Sequence, residues 1–449
     1  MDEQKKQNQE EILQEISAKK EPEIIKNAKT TPPEKRKPPV LKIIICAIVA
    51  ALAIALLVVV FRQIFNDKDK PVQVDDYSLY SNVVYSNGLA FSSNGNGTCR
   101  VRGYDDNITD VVIPSISPAG DKVTEIETRA FEGFTITSIT IPNSVTTIGR
   151  EAFKSCYNLT SIKISNSVTT IEESAFVYCG IMTIIIPDSV TTIGQYAFAH
   201  CTNLQSVTLG ENVTNIDRNT FNCCKSLVSV TLKNGVTSIS DHAFANCESL
   251  TSITIPDSVT TIGRYAFDHC LNLRKVTIGD GVTSIGYGAF SYCGGLQNIT
   301  IGNSVSTIGN YAFLYCTSLT SITFPDSITT IGRWALQGCT SLTSITFNAS
   351  DNSLITIDNS AFCYCESLTS IIIPDSVTAI NDYVLYGCTN LTNVTISKSV
   401  TSIGENAFYN CTNLTDVYYE GSEEDWAKID IHASNEILTS VTIHYNYTE

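Results

Sequence analysis

The sequence predicts a repeat solenoid built around a parallel β-sheet, with short helical turns in each coil and one transmembrane helix before the repeats. Three observations lead to this prediction. From about residue 123 onward the chain repeats itself with a period that is nearly always 23 residues. Within each unit the apolar spacing changes from strand-like alternation to a helix-like spacing. Residues 43–61 are predominantly apolar and contain no charged side chain, and as a helix this stretch is long enough to cross a bilayer.

The segments before the repeats predict a membrane anchor with a short internal tail. Residues 1–42 hold ten Lys/Arg, eight Asp/Glu and too few apolar residues for a core, which predicts a disordered cytoplasmic tail. The positive charge that precedes residues 43–61 orients the N-terminus toward the cytoplasm. A cleaved signal peptide is the alternative, but the tail is longer than an n-region and the apolar stretch is longer than a typical h-region. With residues 62–76 as a linker, everything that follows is expected outside the cell membrane.

Residues 123–416 are expected to form about 13 coils, of which residues 250–270 are representative. Ile253 and Ile255 alternate with polar residues, as in a strand with one buried face. A Pro-Asp step then supplies a turn. Gly263 permits a bend into a helical turn that buries an aromatic residue and a cysteine. One unit cannot bury its apolar side alone, so equal units must stack on one another.

This unit resembles the leucine-rich repeat of the BspA-like type, which reads Leu-x-x-Ile-x-Ile-Pro followed by Ile-Gly-x-x-Ala-Phe-x-x-Cys. Thirteen spaced matches cover about two thirds of the chain. Residues 77–122 resemble the N-terminal cap of such proteins and residues 417–449 their C-terminal cap, with Tyr418, Tyr419 and Trp426 as the expected plug. The resemblance implies a leucine-rich-repeat solenoid on a bacterial surface that adheres to host matrix proteins.

Twelve of the sixteen cysteines occupy one position of the repeat. Residues at the same place in successive coils stack, so these thiols are expected to form a buried structural ladder of small apolar fillers. A disulfide or reactive thiol is considered only at Cys223 beside Cys224 and at Cys363 near Cys365. No paired Cys-x-x-Cys motif predicts zinc. The ladder comprises Cys156, Cys179, Cys201, Cys224, Cys247, Cys270, Cys293, Cys316, Cys339, Cys365, Cys388 and Cys411.

No motif predicts catalysis, a cofactor or a metal site. The sequence lacks His-Glu-x-x-His, Gly-x-Ser-x-Gly and a phosphate loop. Residues 43–449 carry 19 Lys/Arg against 37 Asp/Glu, a net charge of −18, which opposes binding to nucleic acid. One acidic residue recurs at the turn of several coils; it could in principle chelate calcium, but turn capping explains one carboxylate per coil. These turn acids are Asp188, Asp257, Asp280, Asp326 and Asp375.

The outward face of the strands is the predicted ligand-binding surface, because alternation turns two residues of each coil outward in register. The inner column comprises Thr140, Lys163, Ile185, Thr208, Thr231, Thr254, Thr277, Thr300, Thr323, Thr346, Ile372 and Thr395. The companion column comprises Ser138, Ser161, Thr183, Ser206, Ser229, Ser252, Lys275, Asn298, Ser321, Ser344, Ser370 and Asn393. Threonine suits a half-exposed strand in any case, but a regular row of hydroxyls also offers avidity for an extended ligand. Lys163, Ile185, Lys275 and Ile372 depart from the common residues and are the best candidates for specific contacts.

These observations together predict a cell-surface binding protein or adhesin rather than an enzyme. Its expected partners are extracellular or host proteins, which it would bind through the repeat solenoid without a cofactor. Binding of mucin or polysaccharide glycans through the Thr/Ser face is the alternative. A single helix is expected to hold the chain in the membrane.

Overall fold

The coils of the repeat stack through two parallel ladders of strands that enclose an apolar interior. The computed structural model describes residues 83–348 and 356–448. In the first ladder Ile253 pairs with Val276, and in the second ladder Ile262 pairs with Ile285. Equivalent residues of neighbouring units therefore lie side by side, as a solenoid with one coil per 23 residues requires.

Three antiparallel strands begin the described part and cover the first coil. They are β1 (Val83–Ser86), β2 (Leu89–Ser93) and β3 (Thr98–Gly103). β3 then pairs in parallel with the first strand of the second ladder, β5 (Lys122–Ile126), so the hairpin and the repeats share one sheet. Phe91 and Val101 are buried against the first coil, which would otherwise expose its apolar side.

The strands of the first ladder span three or four residues, whereas those of the second ladder span two residues except for β5, which spans five. The first ladder contains β4 (Asp110–Val112), β6 (Ser138–Thr140), β9 (Thr183–Ile185), β11 (Ser206–Thr208), β13 (Ser229–Thr231), β15 (Ser252–Ile255), β17 (Lys275–Ile278), β19 (Asn298–Thr300), β21 (Ser321–Phe324), β23 (Ser344–Phe347), β25 (Ser370–Ile373), β27 (Asn393–Ile396), β29 (Asp416–Tyr419) and β31 (Thr442–His444). The second ladder contains β5 (Lys122–Ile126), β7 (Thr147–Ile148), β8 (Thr170–Ile171), β10 (Thr192–Ile193), β12 (Asn215–Ile216), β14 (Ser238–Ile239), β16 (Thr261–Ile262), β18 (Ser284–Ile285), β20 (Thr307–Ile308), β22 (Thr330–Ile331), β24 (Thr356–Ile357), β26 (Ala379–Ile380), β28 (Ser402–Ile403) and β30 (Asp430–Ile431).

The predicted helical turns are wrong, because the third side of each coil is built from turns that contain left-handed residues. Tyr265 and His269 have φ values of 54° and 57°, and equivalent residues of other coils share this conformation. A right-handed helix cannot continue through such residues. Alternate backbone N–H groups point instead to the next coil, where the donors Tyr265, Phe267 and His269 reach the carbonyl oxygens of Tyr287, Ala289 and Ser291 at 2.8–2.9 Å. The third side of each coil is thus joined to the next coil by its own set of backbone hydrogen bonds.

The buried phenylalanines form a continuous stack along the interior. From Phe131 to Phe313 the ring centroids of neighbouring coils are 5.1–5.6 Å apart and the ring planes differ by 1–10°. Leu336 takes the next position of this column and ends the run of rings. The regular spacing shows that one coil advances by about 5 Å, the distance between hydrogen-bonded strands.

The twelve cysteines of the repeat are buried in register, and their thiols do more than fill space. Each thiol donates a hydrogen bond to the carbonyl oxygen of the Phe or Leu in the preceding coil, with distances from 3.0 to 3.5 Å. Burial raises the pKa of Cys270, which keeps this donor protonated. The prediction of simple apolar fillers misses this bond. All cysteines of the described residues are free thiols, including Cys223 and Cys363.

The C-terminal cap closes the interior with side chains from two short helices, α1 (Glu423–Trp426) and the 3-10 helix Glu436–Thr439. Tyr419 is buried, and its ring lies edge-on to Trp426 with the centroids 5.2 Å apart. Tyr418 instead stacks on His444 at the outward face of the strands. The plug therefore includes Tyr419 and Trp426 but not Tyr418.

The same cap also satisfies the backbone donors of the last coil. The Asn435 Oδ1 atom accepts the N–H of Phe408 at 3.0 Å, and the Ser434 hydroxyl oxygen accepts the N–H of Asn406 at 2.7 Å. Asn435 is buried, and its Nδ2 atom donates to the carbonyl oxygen of Gly404 at 2.8 Å. These two side chains replace the carbonyl acceptors that a further coil would offer.

One irregularity of the period lies at a corner of the solenoid. The shortened unit turns at Gly180, where a Cβ atom would collide with the carbonyl oxygen of Tyr157, so only glycine fits the closer approach. The sequence also places an insertion between two coils at about residues 348–353, which lies almost wholly outside the described residues, as do the tail, the 43–61 span and the linker. Among the residues that are described, no helix has the length and apolarity to cross a bilayer.

Candidate ligand-binding face

The outward side of the first ladder brings the predicted inner column into one line. Thr208 pairs with Ile185 and Thr231, Thr277 pairs with Thr254 and Thr300, and Thr323 pairs with Thr346. Thr277 is half-buried, while the other members from Lys163 to Ile372 are exposed. Ile185 is 70% exposed and Ile372 48% exposed. The column ends at Thr395, which is buried beneath the C-terminal cap and pairs with Tyr418.

The hydroxyls of the inner column differ from those of the threonines that lie just before the second-ladder strands. On the second ladder the Thr260 hydroxyl donates to the carbonyl oxygen of Thr237 at 3.3 Å, and the Thr283 hydroxyl repeats this contact to Thr260 at 3.2 Å. Within the part of the chain that the structure describes, the inner-column threonines from Thr208 to Thr346 form no side-chain hydrogen bond. Their donors and acceptors therefore remain available to a ligand.

A third exposed column lies beside the two that the sequence predicts. We call it the leading column, and it comprises Thr160, Met182, Gln205, Val228, Thr251, Arg274, Gln297, Thr320 and Thr343. From Met182 to Gln297 each backbone N–H donates to the carbonyl oxygen of the member one coil earlier, at 2.7–3.3 Å. Strict alternation would turn these residues inward, but they lie just before each strand and are exposed. Residues other than threonine at this position of the repeat, such as Arg274, were the sequence feature that could have revealed this column.

The recurring turn acids cap backbone groups. Asp188 Oδ1 accepts the N–H of Glu211 at 2.9 Å, and Asp257 Oδ1 accepts the N–H of Asp280 at the same distance. Each carboxylate thus serves the next coil, as expected for a side chain that caps a turn. In the described ranges no group of three His, Cys, Asp or Glu side chains is arranged to hold a metal ion.

Aromatic side chains line the third side of the coils and stack on one another. His269 stacks on Tyr292 with the centroids 4.6 Å apart, and Tyr315 follows at 5.4 Å. The next position is Gly338, with φ of +73°, where a Cβ atom would lie 2.5 Å from the Tyr315 ring. Because the ring faces cover one another, this side offers edges rather than open faces to a ligand.

Two histidines of this side have opposite pKa shifts. The pKa of His200 is lowered because burial disfavours its charged form. The pKa of His269 is raised, chiefly by its hydrogen bond with Asp268, whose carboxylate lies 2.8 Å from Nδ1. These shifts belong to the stacked aromatic side and lie away from the strand face.

Comparisons with known proteins agree with this architecture. A leucine-rich repeat protein from Bacteroides ovatus is 27% identical, with a TM-score of 0.61, and the match covers 81% of this chain and 99% of that one. A leucine rich cell surface protein from Faecalibacterium prausnitzii is 31% identical, with a TM-score of 0.45, and the match covers 78% of this chain and 97% of that one. No curated protein sequence matches this chain.

The family assignment rests on the repeat itself. The profile described as "BspA type Leucine rich repeat region (6 copies)" matches residues 124–251, 237–354 and 349–449, which is more than half of the chain. These ranges contain the paired ladders, the phenylalanine stack and the cysteine column. The chain therefore belongs to the BspA-type leucine-rich repeat family.

Proposed function

We propose that this protein is displayed outside the cell membrane and binds extracellular protein ligands through the outward face of its first ladder. The observation that carries the proposal is the inner column, a row of exposed side chains whose hydroxyls make no hydrogen bond within the described part of the protein. Just before the second-ladder strands, by contrast, the hydroxyls of threonines such as Thr260 and Thr283 donate to carbonyl oxygens of the neighbouring coil. A rigid, repeated surface of this kind loses little conformational entropy when a ligand binds.

The membrane anchor in this proposal comes from the sequence alone. Residues 43–61 and the positive charge before them favour a single span with the repeats outside. The acidic balance of residues 43–449 favours cationic or neutral regions of a partner over nucleic acid.

A steric block of the strand face tests the proposal. Thr254→Trp places an indole in the middle of the inner column, and Thr261→Trp places the same group on the exposed side of the second ladder. We would incubate the full-length chain in detergent micelles with an array of matrix proteins, mucins and polysaccharides. The proposal expects saturable capture of a protein that falls at least about tenfold in Thr254→Trp and stays unchanged in Thr261→Trp.

Equal loss in both variants would show that the strand face has no special role. Capture by mucin or polysaccharide alone, reversed by free sugar, would replace the protein ligand by a glycan.

A further inference from the structure

The strand face is not uniform, because three exposed aliphatic side chains lie within three consecutive coils of it. Met182 is 45% exposed, Ile185 70% and Val228 46%. Met182 and Ile185 belong to one coil, and Val228 lies two coils further along the leading column. Threonine occupies most positions of the inner column and four of the nine positions of the leading column, so these aliphatic groups are not needed to build a coil. A cluster of exposed apolar side chains on an otherwise polar face is typical of a binding surface.

Cations without an intramolecular partner lie at both ends of this aliphatic stretch. Lys163 precedes Ile185 by one coil, while Arg274 and Lys275 follow Val228 by two coils. Other cations of the solenoid are neutralised, for example Lys154 by Glu132 and Lys233 by Glu211. Across the described residues no carboxylate forms an ion pair with Lys163, Arg274 or Lys275. In a chain with a net charge of −16, these cations have remained free on the face where a ligand is expected.

The spacing of these groups matches an extended polypeptide. One coil advances by about 5 Å, so Val228 and Arg274 are about 10 Å apart along the solenoid axis, and Lys163 and Lys275 about 25 Å apart. An extended peptide rises by about 3.3 Å per residue. About three residues would therefore separate an apolar side chain over Val228 from an acidic one at Arg274. About eight residues would span the whole stretch.

We propose that the strand face from Lys163 to Asn298 binds an extended polypeptide segment that has apolar side chains between two acidic ends. This inference rests on the proposed function and names the chemistry of the ligand. Arg274 presents a planar guanidinium that holds a carboxylate by two hydrogen bonds, and the amides of Gln297 and Asn298 extend the polar surface one coil further. The aliphatic centre favours a polypeptide over a sugar chain, since sugar rings offer few groups that gain from contact with Met182 and Ile185.

Substitutions that restore the common residue of each column test this assignment without altering the coil. Ile185→Thr introduces the residue that occupies the paired position Thr208, and Lys275→Ser introduces the residue of the paired position Ser252. The matched controls are Leu271→Thr, an exposed leucine at a corner of the solenoid, and Lys398→Ser, an exposed lysine at a turn. Circular dichroism of every variant in detergent micelles checks that the strands are retained.

The probes are synthetic eight-residue peptides with two glutamates at each end and leucines between them. In a second peptide serine replaces the leucines, in a third glutamine replaces the glutamates, and a heparin oligosaccharide supplies a polyanion without apolar groups. With the full-length chain in micelles, the first peptide is expected to bind at least about tenfold more tightly than the others. Ile185→Thr and Lys275→Ser are each expected to weaken it by about tenfold, with both controls unchanged. Added salt should weaken binding to the wild type more than to Lys275→Ser.

Equal binding of the three peptides would overturn the inference. So would tighter binding of the heparin oligosaccharide that depends on Lys275 but not on Ile185. A protein whose capture is lost in Thr254→Trp but kept in Ile185→Thr and Lys275→Ser would refute this ligand assignment alone. Capture that survives Thr254→Trp would refute the proposed function as well.

Discussion

Replacement of a single ladder cysteine distinguishes a hydrogen-bonding thiol from an apolar filler. Cys270 is fully buried, and its Sγ atom lies 3.3 Å from the carbonyl oxygen of Phe244. Cys270→Ala removes about 1 kcal/mol of transfer free energy, comparable to one buried methylene. The void left by the sulfur costs about 0.5 kcal/mol more. Loss of a weak hydrogen bond adds about 0.5 kcal/mol, so alanine should lower the free energy of unfolding by about 2 kcal/mol.

Cys270→Ser is the informative partner of that change, because a hydroxyl keeps the donor while it loses the apolar sulfur. If the thiol donates to Phe244, the serine hydroxyl finds the same acceptor, and its cost should not exceed the ~2 kcal/mol of alanine. If the thiol only fills space, serine buries a hydroxyl without a partner and should cost about 1–3 kcal/mol more than alanine.

Urea denaturation of the full-length chain in detergent micelles, followed by circular dichroism, measures both variants. The change in midpoint multiplied by the wild-type slope gives the difference in unfolding free energy. Cys223→Ala and Cys223→Ser are the controls, since Cys223 is only half-buried and lies outside the ladder. Both controls should stay within about 0.5 kcal/mol of wild type. A serine variant at Cys270 that is more than about 1 kcal/mol less stable than the alanine variant would refute the hydrogen-bond reasoning.

Four further substitutions test the turns, the cap and the two histidines of the stacked aromatic side. Gly338→Ala, which forces a side chain into a left-handed residue against a neighbouring ring, should lower the unfolding free energy by about 1–2 kcal/mol, whereas Gly294→Ala should be nearly neutral in the same urea titration. Asn435→Ala leaves a buried N–H of the last coil without an acceptor; it should cost about 1–3 kcal/mol and speed hydrogen exchange in that coil first. The lowered pKa of His200 makes the folded protein lose stability as pH falls through about 6.5, so His200→Gln should reduce the drop in melting temperature between pH 7.5 and 5.5. The raised pKa of His269 contributes stability that is present at pH 5.5 and lost as pH rises, so His269→Gln should enlarge that drop.

The sequence predicted the solenoid well because its information is local and repeated. Ile253 and Ile255 alternate as buried strand residues must, and their period of 23 leaves no other way to bury each apolar side. The third side could not be predicted in the same way. Its apolar spacing around Phe267 is that of a helix, whereas Tyr265 and His269 adopt left-handed conformations because coil-to-coil hydrogen bonds favour them.

The candidate site was predicted in part for a similar reason. Alternation correctly turns Thr208 and Thr254 outward, but it cannot show that the residues just before each strand, such as Val228 and Arg274, are exposed as well. The cap presents the same limit. Aromatic residues such as Tyr419 are visible as a plug in the sequence, whereas Asn435 resembles any loop asparagine until the unpaired N–H groups of the last coil are in place.

The buried columns hold the coils together, whereas the columns of the strand face contact solvent, so under the proposed function the ligand could change without loss of the fold. The buried columns are coupled, since each Phe, Cys and Ile contacts its equivalents in both neighbouring coils and a change in one coil disturbs two others. The columns of the strand face contact solvent, and the inner-column threonines of the described coils contribute no side-chain hydrogen bond to the stack. Under the proposed function, a substitution such as Thr to Ile at position 185 or Ser to Lys at position 275 would alter recognition at little cost in stability. The proposal therefore expects departures from the repeat on the strand face to change ligand binding and departures in the interior to change stability.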